Sequence, residues 1–389
     1  MAKLGEVCDI LNGYAFKSNQ YTASGVRIIR ISNVQKGYIE DKSPVYYPCD
    51  DENVKKYELK QNDLLISLTG NVGRTALLEE KFLPAALNQR VSCIRLKEPD
   101  KVLKTYLFHL LNSDYFEQQC MKAAEGVAQK NLSPKWLFEY KIPIYSIERQ
   151  KEISNTLDKI DLLIILRKQQ LAKLDELVKA RFVEMFGDVL LNSMQWPEKT
   201  LENMADIVSG ITKGRKTAEA DLQEVPYMAV SNVKDGYIDW TTVKTILATR
   251  QEIEQYRLMP DDILMTEGGD PDKVGRGAII KVPLKNSIHQ NHIFRVRLDE
   301  QEVLPSFFAE YLRHQKAKRY FLGCAKQTTG IASINMRQLR ALPTLVPPLS
   351  LQKQFAAFVE RVNQQKQTVQ QSLEKLELMK RALMQEYFG

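Results

Sequence analysis

The 389-residue sequence has no long apolar run and only five cysteines. Its longest apolar run, Leu162–Leu166, is much shorter than the roughly 20 residues that a membrane-spanning helix needs. Residues Met1–Glu6 lack the apolar core of a signal peptide. The cysteines are scattered, odd in number and never arranged as C-x-x-C, which favours reduced thiols over a disulfide framework. These absences predict a cytoplasmic protein that does not enter a membrane.

Motifs of catalysis and cofactor binding are missing too. The sequence contains no G-x-x-x-x-G-K-[ST] phosphate loop and no G-x-G-x-x-G. Its single Pro-Pro pair, Pro347-Pro348, lacks the preceding Asn or Asp of an amino-methyltransferase motif. We therefore expect no catalytic residues and no cofactor in this chain.

Two weaker patterns leave alternatives open. His289-x-x-His292 could be a metal pair, but no third and fourth ligand follow at usable spacing, which favours a polar strand face or a DNA contact. Asp63 with Glu79 and Lys81 weakly resembles a magnesium-dependent nuclease, although a solvated charge run explains the same residues. We expect no metal site.

Composition indicates a globular protein of two or three domains. Hydrophobic residues make up 44% and charged residues 26% of the sequence, and the net charge is +7. A basic protein of this kind can bind nucleic acid, but this charge alone does not require it.

One long stretch, which occurs twice, organises the chain. Apolar residues recur alternately four and three apart, a mean period of 3.5 that is typical of a helix pairing in a coiled coil. The first seam consists of Ile153, Leu157, Ile160, Ile164, Leu171, Leu174 and Val178. The second consists of Phe355, Val359, Val362, Val369, Leu373, Leu376 and Leu383. Four cations interrupt the seams, and either their stems lie at the seam edge, or they fix its register or contact a partner subunit: Arg167, Arg181, Lys366 and Lys380.

The globular segments repeat in the same order as the helices. Ile31-Ser32-Asn33-Val34 recurs 199 residues later as Val230-Ser231-Asn232-Val233, and after one loop insertion the offset becomes 202. We predict four parts: a globular domain over residues 1–146, a long helix over 147–187, a second globular domain over 188–348 and a second long helix over 349–389. The fold class is α+β, with an antiparallel coiled coil and a pseudo-twofold internal repeat.

Polar and basic side chains near the predicted turns are the candidates for DNA contacts. Amides suit adenine, arginine suits guanine, and lysines suit phosphates. The first domain offers Arg30, Ser32, Asn33, Gln35, Lys36, Asn71, Arg74, Asn88, Gln89, Arg90 and Lys130. The second offers Lys213, Arg215, Lys216, Ser231, Asn232, Lys234, Asp272, Lys273, Arg276, Gln290, Asn291 and His292. Asn and Ser beside turns also cap backbone groups, which is the alternative role for several of them.

Several short motifs, in this order and partly repeated, give the chain a family resemblance. They are Gly-Tyr-Ala-Phe-Lys at 13–17, Ile-Ser-Asn-Val at 31–34, Asn-Leu-Ser-Pro at 131–134, Ile-Pro-Ile-Tyr-Ser-Ile-Glu-Arg-Gln at 142–150, and helices that end in Phe-Gly. With them the chain resembles the specificity subunit of type I restriction-modification enzymes over essentially its whole length. The second domain departs from the first at 209–214 and 344–346, which bears on the bases read rather than on the family.

The resemblance implies a division of labour. Each domain would read one half of a split, asymmetric site in double-stranded DNA, and the helix pair would set the gap, with half-sites about 10 bp apart. Two modification subunits would dock on the helices and supply S-adenosylmethionine-dependent methylation, and restriction subunits would use ATP and Mg²⁺. The alternatives are an autonomous nuclease or methyltransferase, and a coiled-coil scaffold that binds only proteins.

Overall fold

The structure, a computed structural model, describes residues 1–124, 130–214, 222–270, 273–328 and 330–389. The chain divides into two compact units. Unit 1 consists of residues 1–169 and 370–389, and unit 2 of residues 170–369. Each unit contains one globular domain and two helical segments that pair antiparallel.

The domain of unit 1 is built from short strands and short helices. The strands are β1 (Ala2–Lys3), β2 (Cys8–Asn12), β3 (Val26–Ile29), β4 (Tyr46–Tyr47), β5 (Glu58–Leu59), β6 (Leu64–Ser67), β7 (Thr75–Leu77), β8 (Ala85–Leu87), β9 (Val91–Leu96) and β10 (Lys141–Ile142). The helices are α1 (Leu4–Val7), α2 (Glu52–Lys56), α3 (Lys104–Leu111), α4 (Asp114–Ala123), α5 (Pro134–Glu139) and the long α6 (Ile147–Phe186).

Two four-stranded sheets form the framework of unit 1. One has the antiparallel order β2-β9-β6-β7, and the other has the order β4-β3-β8-β5, in which β3 and β8 are parallel. Strand β6 is buried along its whole length, in keeping with its uninterrupted Leu-Leu-Ile-Ser sequence. A cis peptide bond precedes Pro84. The strand β1 pairs with β10 and brings the beginning of the domain to the beginning of α6.

Unit 2 repeats this framework. Its strands are β11 (Glu198–Thr200), β12 (Ala205–Ser209), β13 (Gln223–Met228), β14 (Lys244–Ala248), β15 (Ile263–Thr266), β16 (Gly268–Gly269), β17 (Gly277–Ile279), β18 (Ile288–His289), β19 (Ile293–Leu298), β20 (Lys326–Thr328), β21 (Ile331–Ser333) and β22 (Pro343–Leu345). Its helices are α7 (Arg250–Tyr256), α8 (Pro305–Arg313), α9 (Gln315–Cys324), α10 (Met336–Arg340) and the long α11 (Leu349–Phe388).

The sheet orders confirm the predicted internal repeat. The order β12-β19-β15-β17 corresponds to β2-β9-β6-β7, the order β14-β13-β18 to β4-β3-β8, and the pair β11-β22 to β1-β10. The small sheet β16-β21-β20 distinguishes unit 2 among the described residues. The α+β fold class and the two long paired helices are therefore confirmed.

A buried glutamine fixes the start of each long helix. In unit 1 the Gln150 side chain accepts a hydrogen bond from the Leu103 N–H (2.8 Å) and donates to the carbonyl oxygens of Lys101 and Tyr145 (2.8 and 2.9 Å). In unit 2 the Gln352 side chain makes the equivalent three bonds to Leu304, Glu302 and Pro347. Both glutamines are fully buried, so the amides and the backbone groups that they satisfy are interdependent.

The far ends of the long helices complete the cores of the domains. Phe182 and Phe186, at the end of α6, are buried in the core of unit 2, where Phe186 contacts Phe307 and Phe355. Phe388, at the end of α11, is buried in the core of unit 1. The repeated Phe-Gly ends are thus anchors, and at Gly187 the backbone has a positive φ of 74° that favours glycine after a helix.

The predicted seam residues are all buried or half-buried, and charged pairs cross the seam. In unit 1, Lys380 donates to Asp161 (2.5 Å) and Arg167 to Ser372 (3.2 Å). In unit 2, Lys366 donates to Asp175 (2.5 Å). These three cations therefore define the register of the pair.

Arg181 behaves differently from the other seam cations. It pairs with Glu184 on its own helix and lies over the Phe358 ring. It therefore matches the expectation of a stem at the seam edge.

The carboxylate that the nuclease alternative would need as a magnesium ligand is engaged within the domain. Asp63 is buried and receives two bonds from the Arg95 guanidinium (2.8 and 2.6 Å) and one from the Lys60 N–H (2.7 Å), while Glu79 pairs with Lys81 on the surface. Asp262 and Arg297 form the same bidentate pair in unit 2. Asp63 is thus part of the framework.

Helices α3 and α4 are separate, because the Ser113 hydroxyl accepts a hydrogen bond from the Phe116 N–H and caps the start of α4. No helix within the described ranges is long and apolar enough to cross a membrane.

Replacing Phe186 by alanine tests the anchor of α6. The variant Phe186→Ala should lower the free energy of unfolding by about 3–5 kcal/mol, because it leaves a cavity among packed aromatic rings. Urea unfolding followed by circular dichroism measures the change. The matched control is Val183→Ala, which truncates an exposed side chain in the same turn; equal effects of the two substitutions would contradict the anchoring role.

A buried histidine predicts a pH dependence. Burial lowers the pKa of His109 below its ordinary 6.5, and this outweighs the opposing hydrogen bond to Asp158 (2.7 Å). On acidification the unfolded chain therefore takes up the proton first, so stability falls as the pH drops below about 6.5. His109→Gln should flatten the decline between pH 7 and 5 in urea-unfolding midpoints. Parallel pH curves for both proteins would contradict this assignment.

Candidate nucleic-acid interface

In unit 1, three loops are joined by backbone hydrogen bonds at one end of the first sheet. The Leu68 N–H donates to the Arg90 carbonyl (3.0 Å), the Leu132 N–H to the Leu68 carbonyl (2.7 Å), and the Gly70 N–H to the Lys130 carbonyl (3.0 Å). We call the loops 68–74, 88–90 and 130–132 the tip of unit 1. The tip brings together candidate side chains that lie up to 60 residues apart in the sequence.

The tip of unit 2, residues 267–270, 273–276, 290–292 and 333–334, has the same backbone pattern. The Glu267 N–H donates to the His292 carbonyl (3.0 Å), and the Ile334 N–H to the Glu267 carbonyl (2.8 Å). Glu267 and His292 therefore occupy the positions of Leu68 and Arg90 in unit 1. The backbone is shared between the units, and the side chains differ.

Several candidates of unit 1 are available at the surface. Gln89 and Arg90 are exposed at the tip, as is Asn71. Their side chains make no hydrogen bond or ion pair with the part of unit 1 that the structure describes. A groove of about 620 Å³ is lined by Asn71, Arg74, Lys122 and Lys130, together with acidic residues of α4. Its cations suit a phosphate backbone.

Three further candidates of unit 1 lie beside this surface. Ser32 is exposed, Asn88 is half-buried, and Gln35 accepts a hydrogen bond from the Arg74 guanidinium. That bond joins the turn around Lys36 to the tip.

Other candidates of unit 1 are engaged in the structure itself. The buried Asn33 side chain accepts from the Arg30 N–H (2.8 Å) and donates to the Glu40 carbonyl (3.0 Å). The Arg30 guanidinium donates to the Ser43 carbonyl (2.7 Å). Asn33 therefore stabilises its own turn, and its side chain is not available for a DNA contact.

Lys36 is held by two carboxylates. Its ammonium group donates to Asp114 (2.6 Å) and Glu117 (2.7 Å) on α4. Burial lowers the pKa of Lys36, but these hydrogen bonds outweigh it, and the pKa is raised above its ordinary value. The lysine is therefore charged but already paired.

The candidates of unit 2 divide in the same way. Asn232 is buried and caps its turn through the Ala229 N–H (2.9 Å) and the Asp239 carbonyl (2.9 Å). The remaining described candidates are exposed or half-buried: Lys213, Ser231, Lys234, Lys273, Arg276, Gln290, Asn291 and His292. Lys273 pairs with Asp270, and Gln290 accepts from the Val230 N–H (3.4 Å). Arg215, Lys216 and Asp272 lie outside the described residues.

The two histidines of the H-x-x-H pattern have separate environments. His289 is fully buried, its Nε2–H donates to the Val208 carbonyl (3.3 Å), and burial lowers its pKa to about 4. His292 is exposed and bonds to Glu267. Only His292 is placed to contact a ligand at the tip.

Glu267 is the residue that the sequence reasoning missed. Its Oε2 lies 2.6 Å from Nδ1 of His292. The offset of 199 places Glu267 opposite Leu68, so a charged residue at the end of an otherwise buried strand was the available signal. Its distance of 25 residues from His292 concealed the pairing.

Comparisons with known proteins agree with this duplicated architecture. The sequence profile of the type I restriction modification DNA specificity domain matches residues 1–176 and again residues 194–378. The EcoKI specificity subunit of Escherichia coli is 21% identical over 386 residues, which cover 94% of this chain and 81% of that subunit. The MjaVIII specificity subunit of Methanocaldococcus jannaschii is 32% identical over 186 residues, 46% of this chain and 43% of its own.

A solved structure shares the fold. The type I restriction-modification S subunit of M. genitalium superposes with a TM-score of 0.58 at 15% identity, covering 100% of this chain and 95% of that one. Because the family profile matches twice and accounts for most of the sequence, this chain belongs to the family of DNA specificity subunits of type I restriction-modification systems.

Proposed function

We propose that the tips of the two units read the two halves of a bipartite DNA site, while the helix pair sets their separation and binds the modification subunits. The observation that carries this proposal is the pair of tips with one backbone pattern and different side chains. Methylation and cleavage belong to the partner subunits, which would use S-adenosylmethionine, ATP and Mg²⁺.

The framework residues are the same in both units, which supports equivalent placement of each tip on DNA. The Asp63–Arg95 pair corresponds to Asp262–Arg297, and Asn33 corresponds to Asn232. Since these groups are buried or bonded internally, they maintain the shape of the domain. The variable side chains at the tips are then free to determine which bases are read.

The long helices support a spacing role. Each is a continuous helix of 40 residues, roughly 60 Å long at about 1.5 Å per residue. A buried glutamine holds its beginning, and a buried phenylalanine holds its end. A helix anchored in this way changes the separation of its ends only if residues are added or removed.

Exposed apolar residues support a docking site for a modification subunit on unit 1. The helix segments of unit 1 leave six large apolar side chains exposed: Leu162, Leu163, Ile165, Leu166, Leu378 and Met379. The α11 residues equivalent to the four on α6 are Gln364, Gln365, Gln367 and Thr368. Because such patches are typical of protein interfaces, we assign this one to a partner helix.

Lengthening the helix pair tests the spacing role. Residues 172–178 of α6 and 363–369 of α11 contain the Asp175–Lys366 ion pair, and duplicating both adds one heptad to each helix. The gap in the recognised sequence should grow by roughly three base pairs, since seven residues add about 10 Å. Both half-site sequences should stay unchanged. Affinity should fall, because three base pairs also rotate the second half-site by about 100°.

Adenine-methylation mapping of DNA treated with the complete complex measures this gap. The control variant carries the duplication in α6 alone, which destroys the pairing register and should abolish methylation. An unchanged gap in the doubly lengthened protein would refute the spacing role.

Substituting the exposed leucines tests docking. Leu162→Glu with Leu166→Glu should reduce the modification subunits recovered per chain from two to one, since charges replace the apolar contact. Native mass spectrometry of the co-expressed complex gives the count. The matched control is Gln364→Glu with Thr368→Glu at the equivalent positions of α11, which should retain two. Full recovery with both variants would refute this docking site.

A further inference from the structure

We propose that Glu267 and His292 form a base-reading pair that accepts a hydrogen bond from an exocyclic amino group of adenine or cytosine, whereas Arg90 at the equivalent position of unit 1 reads guanine. The inference rests on the proposed DNA-reading role of the tips. It names the residues that make the two half-sites different.

The two positions are equivalent by backbone geometry. Leu68 and Glu267 each follow the buried strand of their unit, and each donates its N–H to the carbonyl of Arg90 or His292, respectively. Each also accepts a backbone hydrogen bond from a third loop. Unit 1 places Leu68, only 6% exposed, at the first position. Unit 2 places Glu267 there, with 33% of its side chain exposed, beside His292 with 58% exposed. The pair therefore lies at the surface where a base edge could reach it.

The carboxylate determines the tautomer of His292. An ionised carboxylate only accepts hydrogen bonds, so the 2.6 Å contact requires a proton on Nδ1. In the neutral imidazole, Nε2 is then an acceptor. The Asn291 amide nitrogen lies 3.5 Å from Nε2, beyond the usual hydrogen-bond range, so the single lone pair of Nε2 is available to a base.

An acceptor at the tip selects bases that present a hydrogen-bond donor over bases that present acceptors. In the major groove, adenine N6 and cytosine N4 are donors, whereas guanine presents N7 and O6 as acceptors. His292 Nε2 therefore fits the amino groups. Glu267 Oε1, which has no hydrogen-bond partner among the described residues, is a second acceptor beside it. Guanine would face two acceptors and lose its own contacts.

Unit 1 has the opposite polarity. Its guanidinium at Arg90 is exposed, and the neighbouring Leu68 supplies no carboxylate. Arginine can donate two parallel hydrogen bonds to guanine O6 and N7. One structural position thus carries donors in unit 1 and acceptors in unit 2.

Exchanging the pair tests the inference. The variant Glu267→Leu with His292→Arg reproduces the unit 1 side chains within unit 2. In the complete complex with modification subunits, one position of the second half-site should change from adenine or cytosine to guanine, with discrimination of about tenfold or more. The first half-site should be unchanged. Methylation of duplexes carrying A, C, G or T at each position measures the change and distinguishes adenine from cytosine.

Further variants separate reading from folding. Glu267→Gln keeps the size of the side chain and should weaken discrimination at that same position without moving the thermal unfolding temperature. Arg90→His should lose the guanine preference at one position of the first half-site. The matched control is Glu254→Leu, an exposed substitution on α7 that should leave both half-sites unchanged.

The outcomes distinguish this inference from the proposed function. If the exchanged protein still methylates the original second half-site with undiminished preference, the base-reading pair is refuted. If the unmodified complex shows no bipartite specificity, the proposed function fails instead.

Discussion

The buried amides of Gln150 and Gln352 are the interactions on which the rest of the structure depends. Each one satisfies three backbone groups where a long helix leaves its domain. Removing such an amide would leave a buried N–H and two carbonyl groups without partners, which would lower the stability of the fold. The direction in which each helix leaves its domain is therefore fixed. The spacing role that we propose for the helices therefore depends on these amides.

The same division between framework and tip explains which polar residues repeat. Asn33 and Asn232 recur because both hold a turn in which a glycine with positive φ, Gly37 or Gly236, donates its N–H to the neighbouring strand. This role in the turn does not depend on which bases the tips would read. Arg90 and His292 occupy one backbone position and differ completely. Under the proposed function, residues that are the same in both units maintain the fold, and residues that differ at the tips determine the bases read.

The sequence alone predicted the features that depend on local periodicity. The spacing of Ile153, Leu157 and Ile160 specifies a helix with one apolar face, and the constant offset specifies two copies of one fold. It could not predict that Lys36 is paired, because its partners Asp114 and Glu117 lie 78 and 81 residues away. Likewise the role of Asn33 depends on hydrogen bonds to Glu40 that only the folded turn creates. Side-chain availability is a property of tertiary contacts, which composition and spacing do not encode.

The seam also explains why the two copies belong in one chain. Asp161 of α6 pairs with Lys380 within unit 1, and Asp175 pairs with Lys366 within unit 2. In a pair of two α6 helices, the positions of those lysines would be occupied by Val178 and Ile164, and the aspartates would face apolar groups. Polar seam residues of this kind specify the partner, because the wrong pairing leaves a partly buried charge without its partner.

The seam therefore favours α6 with α11 over self-association of either helix. A symmetric dimer of one copy would carry two identical tips and read a palindrome. The fused copies instead place Arg90 and the Glu267–His292 pair in one chain, so the asymmetric target that we propose agrees with the charges that join the helices.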